Sequence, residues 1–235
     1  MQSDPIGVFD SGIGGIGVLT QCVNVLPSER FIYLSDAKNM PYGEKSDEFI
    51  RSAALAAADF LAEKGVKAIA VACNTATEVA IDDIRRKYPN KIVVGLEPAV
   101  KPCFRELGRG YAVALVTNAT SRSAKFMRLI SECDGKVVVA PQNDLARLVE
   151  EHGADFAVLR KPVFDILRKY SDAEAVILGC SHYTYVRGLI REFYGERVKI
   201  YDGAEGEAKR LRYLLALARQ CAPETQVGSV EYYNT

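Results

Sequence analysis

The chain has 235 residues, room for one large domain or two small ones, and its 49% apolar and 26% charged content is that of a globular protein. Thirty basic residues balance thirty acidic ones, so no net field draws the chain to nucleic acid or to an anionic membrane surface. No stretch approaches the roughly 18 consecutive apolar residues of a membrane span, and the opening "MQSDPIGVFD" has neither the basic start nor the apolar core of a signal peptide.

In chain order, short runs rich in Val and Ile recur. They are "IGVFD" (6–10), "RFIYLSD" (30–36), "KAIAVAC" (67–73), "KIVVGLE" (91–97), "YAVALVT" (111–117), "KVVVAPQ" (136–142), "EAVILGC" (174–180) and "VKIYDG" (198–203). They lack strict polar alternation, as expected of strands buried on both faces. Helix-like segments such as "DEFIRSAALAAADFLAEKG" and "TATEVAIDDIRRKY" lie between them. Strand and helix alternate throughout, which predicts an α/β fold with parallel sheets and right-handed crossovers.

The strand ends repeat at a fixed interval. Thr117, Asn143, Cys180 and Asp202 each lie about 107 residues after Asp10, Asp36, Cys73 and Gly95. One register kept over four strands points to a repeated unit. The expectation is two pseudo-symmetric parallel-sheet βαβ domains with the active site between them. Residues 1–97 form one half, joined by 205–235, whose helix "GEAKRLRYLLALARQ" packs back on it; residues 98–204 form the other. Ligands of open parallel sheets bind beyond the carboxyl ends of the strands. The segments to inspect are therefore "DSG" (10–12), "VACNT" (71–75), "TNAT" (117–120) and "GCSHY" (179–183).

Two of those four segments carry a cysteine at the same relative place. Thr75 and Glu78 make a T-x-x-E capping box that starts a helix near Ala76, with Cys73 just ahead of it. Cys180 takes the matching place before "YTYVRGLIREFY". A helix N-terminus lowers a thiol pKa, so both sulfurs are expected to ionise readily. Two opposed thiols can take a proton from one face of a carbon and return one to the other face, inverting a stereocentre without an electron-sink cofactor. Six widely spread cysteines with no C-x-x-C pair argue against zinc or dithiol redox chemistry, and no metal or cofactor is expected. The same spacing suits reduced thiols in a cytoplasmic protein; Cys22, Cys103, Cys133 and Cys221 read as structural.

"DSGIGGIG" (10–17) satisfies G-x-G-x-x-G, and Asp36 lies where a dinucleotide-binding fold keeps its ribose-binding acid. Asp10, however, would stand beside the pyrophosphate, which costs electrostatic energy. It suits a substrate ammonium, the orientation of Cys73, or a simple cap on the following helix. Gly12, Gly14 and Gly15 would let the backbone turn tightly beside a substrate. His182 adjoins Cys180 and can set its ionisation, while His152, in "VEEHGAD", reads as surface.

"IGVFDSGIGGIGVL", "DAKNMPYGEKS", "VACNTATEVAIDDIRRKYP", "VVGLEPAVKP", "LVTNATSRSAKF" and "LGCSHYTYVRGLI" resemble, in order, the motifs of bacterial glutamate racemases, over about Ile6 to Gly206. The resemblance implies a cofactor-independent racemase that makes D-glutamate for peptidoglycan, commonly as a homodimer. By it Cys180 acts on L-glutamate and Cys73 on D-glutamate. It further implies substrate contacts from Asp10, Ser11, Tyr42, Gly43, Asn74, Thr75, Thr117, Thr120, Ser181 and His182, with Glu150 close to the site. Ser181 stands where the family usually has Thr and keeps the hydroxyl. The alternatives are an aspartate or other two-cysteine racemase, a nicotinamide-dependent oxidoreductase resting on the glycine match alone, and a non-catalytic binding protein on this scaffold.

Overall fold

A computed structural model describes residues 2–153 and 155–235, with the side chain of Asn143 left aside. The chain runs β1 (Ile6–Asp10), α1 (Ile16–Val25), β2 (Arg30–Ser35), α2 (Asp47–Glu63), β3 (Ala68–Val71), α3 (Asn74–Lys87), β4 (Ile92–Gly95) and α4 (Val100–Glu106). It continues through β5 (Ala112–Val116), α5 (Asn118–Arg122), α6 (Ala124–Ser131), β6 (Val137–Pro141), α7 (Asn143–His152) and α8 (Phe156–Leu167). It ends with β7 (Ala175–Gly179), α9 (Arg187–Tyr194), β8 (Lys199–Asp202), α10 (Ala204–Leu217) and β9 (Ser229–Asn234). All eight strand-length runs form strands.

The strands make two parallel sheets, ordered β4-β3-β1-β2-β9 and β6-β5-β7-β8. Read backwards, the second is β8-β7-β5-β6, the same order as the first without β9. Central strands are buried along their whole length, β1, β3, β5 and β7 without exception, which is why their sequences are continuously apolar. In each sheet the chain reverses its direction of winding beside the central strand, between β1 and β3 and between β5 and β7. Such a switch point opens a crevice at the carboxyl ends of the strands. Cys73 follows β3 and Cys180 follows β7, so each thiol stands at one of these crevices.

Helices cover the sheets by apolar stripes. In α2, Ile50, Ala54, Ala57, Ala58 and Leu61 are buried at helical spacing, and Ser46 caps the start by accepting from Phe49 N–H at 3.2 Å. Small alanines let the helix lie close on β1, β2 and the neighbouring α3. Gly65, with φ +76°, reverses the chain after it.

Residues beyond α10 were not expected to join a sheet, yet β9 adds to β2 in parallel, Arg30 to Ser35 pairing with Ser229 to Asn234. "SVEYYN" has the β-branched and aromatic content of an edge strand. The approach is fixed by a buried carboxylate: Glu29 Oε1 accepts from Ala222 N–H at 2.8 Å, and its other oxygen is ion-paired to Lys67 Nζ at 2.6 Å, both side chains 2% exposed. Among the described residues no helix is long and apolar enough to cross a membrane.

Candidate functional site

Where α3 begins decides the setting of Cys73. The helix starts at Asn74, not near Ala76, and its N-cap is Cys73 itself, whose Sγ accepts from Ala76 N–H at 3.4 Å. The expected capping box does not form. Thr75 Oγ1 is instead paired with Thr117 Oγ1 at 2.9 Å, and Glu78 accepts from Ser123 Oγ at 2.7 Å. These partners lie on the far side of the crevice, which a local motif cannot reveal. The Cys73 thiol also donates to Ser11 Oγ at 3.6 Å.

Cys180 is placed differently. The six residues after it, Ser181–Val186, form a 3-10 turn, and α9 begins only at Arg187. Cys180 thus caps a 3-10 turn rather than an α-helix. Its neighbour is His182, with Nδ1 3.9 Å from Sγ. Nε2 of the same ring lies 2.7 Å from Glu150 Oε2, an oxygen that also accepts from Ile13 N–H at 2.9 Å.

The charged and polar groups beside the two sulfurs also differ. Burial, followed by the negative charge of Asp10, pushes the Cys73 thiol well up, outweighing the Ala76 and Ser11 hydrogen bonds. The expectation of an easily ionised Cys73 is thus overturned: desolvation exceeds the pull of the helix end. Burial alone would lower His182, but its bonds to Cys180 and Glu150 more than offset this and bring it up to about 10, so the ring is an imidazolium at neutral pH. Burial opposes charge on Glu150 as well, yet the contacts with His182 and Ile13 hold its carboxyl below the ordinary value.

Both sulfurs border one narrow pocket, as do Ser11, Thr75, Thr117 and His182, with Tyr42 and Gly43 as a further wall. Cys73 is 4% and Cys180 7% exposed. Thr117 caps α5, accepting from Thr120 N–H at 3.2 Å, and its hydroxyl lies 3.1 Å from that of Thr120, so Thr75, Thr117 and Thr120 form a chain of hydroxyls. Thr120 itself is fully buried behind it.

Three further expected contact residues do not border this cavity. Asp10 is fully buried and accepts from Gly12 N–H and from Ser181 Oγ, each at 3.0 Å. Burial raises its pKa against the attraction of His182. Ser181 and Asn74 border a second space of about 220 Å³, which Cys180 also lines. Asn74 donates to Leu96 O at 3.0 Å, while its buried Oδ1 has no hydrogen-bond partner.

The glycine loop is explained by what faces it. A Cβ on Gly12 would lie 2.2 Å from Glu150 Oε2, and one on Gly14 would lie 2.5 Å from His182 Nδ1 and 2.6 Å from Ser181 Oγ. A Cβ on Gly15 would meet that of Asp10 at 2.5 Å. The glycines let β1's loop close against side chains of the β6–β7 region and against Asp10, so the room a pyrophosphate would need is filled by Glu150 and His182. Tyr33 and Tyr185 tie the loop down through its carbonyls, donating to Gly12 O at 2.6 Å and Ile13 O at 3.1 Å. Sequence reading found Glu150 only by resemblance, and nothing local marks it as the partner of His182. Among the described residues no group of His, Cys, Asp and Glu side chains could hold a metal ion.

The sequence profile of the Asp/Glu/Hydantoin racemase family matches residues 15–210. A glutamate racemase of Clostridium perfringens is 34% identical over all of this chain and 92% of its own length. A glutamate racemase isoform from Bacillus anthracis superposes with a TM-score of 0.88 at 28% identity, covering 100% of this chain and 90% of that one. The Francisella tularensis glutamate racemase, solved with D-glutamate, gives 0.85 at 28% identity, covering 100% and 89%. With two thiols at equivalent strand ends facing one cavity, the chain belongs to the Asp/Glu/hydantoin racemase family, among its glutamate racemases, and is an amino-acid racemase.

Proposed function

We propose that the chain interconverts L- and D-glutamate by two-base transfer of the α-proton. The observation that carries this reading is that Cys73 and Cys180, one following β3 and the other β7, border a single pocket. With L-glutamate, Cys180 Sγ⁻ takes the α-proton and leaves the C–H electron pair on the α-carbon. Cys73 S–H then gives its proton to the opposite face, and the thiolate and thiol have exchanged places. The reverse direction starts from Cys73. His182, held as imidazolium by Glu150, balances negative charge at Cys180; Ser11 and the Ala76 N–H do so at Cys73.

An α-carbon of an amino acid is a weak acid, so the carbanion-like transition state needs donors around the substrate carboxylate. The hydroxyls of Thr75 and Thr117 and the first N–H groups of α3, which have no intrahelical acceptor, are available for this. The ammonium side is assigned to Ser181, which lines the adjoining space beside Cys180, with Asp10 holding its hydroxyl from behind. Tyr42 and Gly43 form the remaining wall, with Asn74 and Thr120 supporting it from behind. Burial of both thiols favours the chemistry by excluding water.

The two-unit division at 1–97 with 205–235 and 98–204 belongs to this proposal, and the crevice between the units admits substrate. The proposal extends to a homodimeric cytoplasmic enzyme supplying D-glutamate to peptidoglycan synthesis, with no cofactor, nucleic acid or membrane taking part. Optical rotation of L-glutamate and, separately, L-aspartate incubated with the protein tests the substrate. Decay with glutamate is expected; decay with aspartate alone would move the substrate, and decay with neither would overturn the reading.

A further inference from the structure

Asp36, the residue that a dinucleotide reading would set on a ribose, has three side-chain partners that the reaction above does not use. It is 3% exposed and follows β2 directly. Its Oδ2 accepts from the Tyr42 hydroxyl at 2.6 Å, Asn39 Nδ2 approaches both oxygens at 3.0 Å, and Oδ1 accepts from Thr235 Oγ1 at 2.8 Å. Its backbone N–H donates to Asp10 O at 2.9 Å. The carboxylate is therefore a node joining β1, the 37–44 segment and the residues that follow β9.

The Tyr42 partner gives the node a connection to substrate. Residues 42 and 43 wall the cavity between the thiols, yet the Tyr42 ring is 1% exposed and its hydroxyl is bound to Asp36. What this turn presents to the cavity is consequently set by where Asp36 holds the ring. Thr235 is held in its turn by the register of β9. Its N–H donates to Ser35 O at 3.1 Å, Lys38 N–H donates to its hydroxyl at 3.3 Å, and Tyr233 packs edge-on against Phe60 of α2 at 5.2 Å. A carboxylate with three donors of this kind is fixed in place.

We propose that Asp36 is a positioning residue for the substrate: clamped by Thr235 and Asn39, it holds Tyr42 and so sets the Tyr42–Gly43 wall, which couples β9 to substrate affinity. This rests on glutamate being the substrate of the cavity. The wall binds substrate but takes no proton, so losing the clamp raises KM and leaves kcat within about twofold.

The test measures KM, kcat and the calorimetric Kd for D-glutamate in Tyr42→Phe, Thr235→Val and Thr235→Ser, with Tm recorded for each. Tyr42→Phe loses a charge-assisted bond and is expected to raise KM and Kd about tenfold. Thr235→Val loses one clamp at the surface and should raise them about threefold to fivefold, with Thr235→Ser returning to wild-type values because the hydroxyl is kept. Wild-type affinity in both Tyr42→Phe and Thr235→Val, whatever their Tm, overturns the proposal, as does a fall in kcat at constant KM. A wild type that binds glutamate without racemising it would sink the reaction and leave the node intact; one that binds no glutamate sinks both.

Discussion

The carboxyl ends of β3 and β7 occupy equivalent places in sheets of the same strand order, yet they surround their thiols differently. At β3 the sulfur caps a fourteen-residue α-helix, is approached by Ser11, and stands near the Asp10 carboxyl. At β7 the sulfur leads into a 3-10 turn and faces an imidazolium secured by Glu150. A repeated fold thus delivers two thiols to matching positions, while the residues around them give each sulfur a different setting. The proposed mechanism demands only that both thiols reach the same carbon. It does not demand that they be chemically alike.

Breaking the symmetry outright gives the largest effect. Cys73→Ser and Cys180→Ser should each slow racemisation by about 10³-fold or more, since a serine hydroxyl is a far weaker acid–base group than a thiol. The sharper part of the prediction is directional. Cys73→Ser keeps the base for L-glutamate and should exchange the α-proton of that enantiomer alone, and Cys180→Ser that of D-glutamate alone, both read by NMR in D₂O. Exchange of both enantiomers by either variant would remove the assignment of one base to each face.

Next comes the ion pair behind Cys180. Glu150→Gln should lower kcat/KM about tenfold near pH 8. Its alkaline limb should also shift to lower pH, because His182 loses the carboxylate that helps to hold it at about 10. The sign follows from linkage. A histidine whose pKa is raised by folding contributes stability that is complete below its unfolded value of 6.5 and disappears as pH rises through about 10. The Glu150 carboxyl, lowered by folding, contributes stability above its unfolded value of 4.5 and loses it as pH falls. The pair is therefore intact between those limbs. An unchanged alkaline limb in Glu150→Gln would show that the carboxylate has no influence on the ring.

The smallest effect belongs to the helix that returns to the first sheet. Glu207 lies on the buried stripe of α10 with Ala204, Ala208, Leu211 and Leu215, 4% exposed, and neither of its carboxyl oxygens has a hydrogen-bond partner. Burial drives its pKa up, aided by the charge of Asp10. Above the unfolded value of 4.5 the unfolded chain releases this proton while the fold retains it, so Glu207 reduces stability increasingly as pH rises. Glu207→Leu should raise Tm, by the equivalent of about 1–3 kcal/mol at pH 8 and by less at pH 5. Equal gains at the two pH values would mean that only packing had changed.

The strands and their repeat were legible because buried parallel strands leave continuous apolar runs, and the cysteine pair because it recurs at the repeat interval. Local motifs fared less well where the crevice supplies a competing partner. Thr75 and Glu78 spell a capping box, but Thr117 and Ser123, brought across from the β5 region, take their side chains. The glycines of "DSGIGG" spell a phosphate loop, but Glu150 and His182 fill its space. Likewise Asp36 reads as a ribose acid until Tyr42 and Thr235 are seen to occupy it. In each case a contact distant in sequence decided between readings that short-range pattern left equal.

The central claim, that the α-proton leaves to one thiol and arrives from another, is tested most directly by early-time racemisation of protiated L-glutamate in D₂O. After the first few per cent of conversion, the D-glutamate formed should carry deuterium at the α-carbon while the remaining L-glutamate keeps its protium. D-glutamate that retains the substrate's own proton, or deuterium entering both enantiomers at equal rates from the start, would mean that a single base serves both faces and would contradict the account.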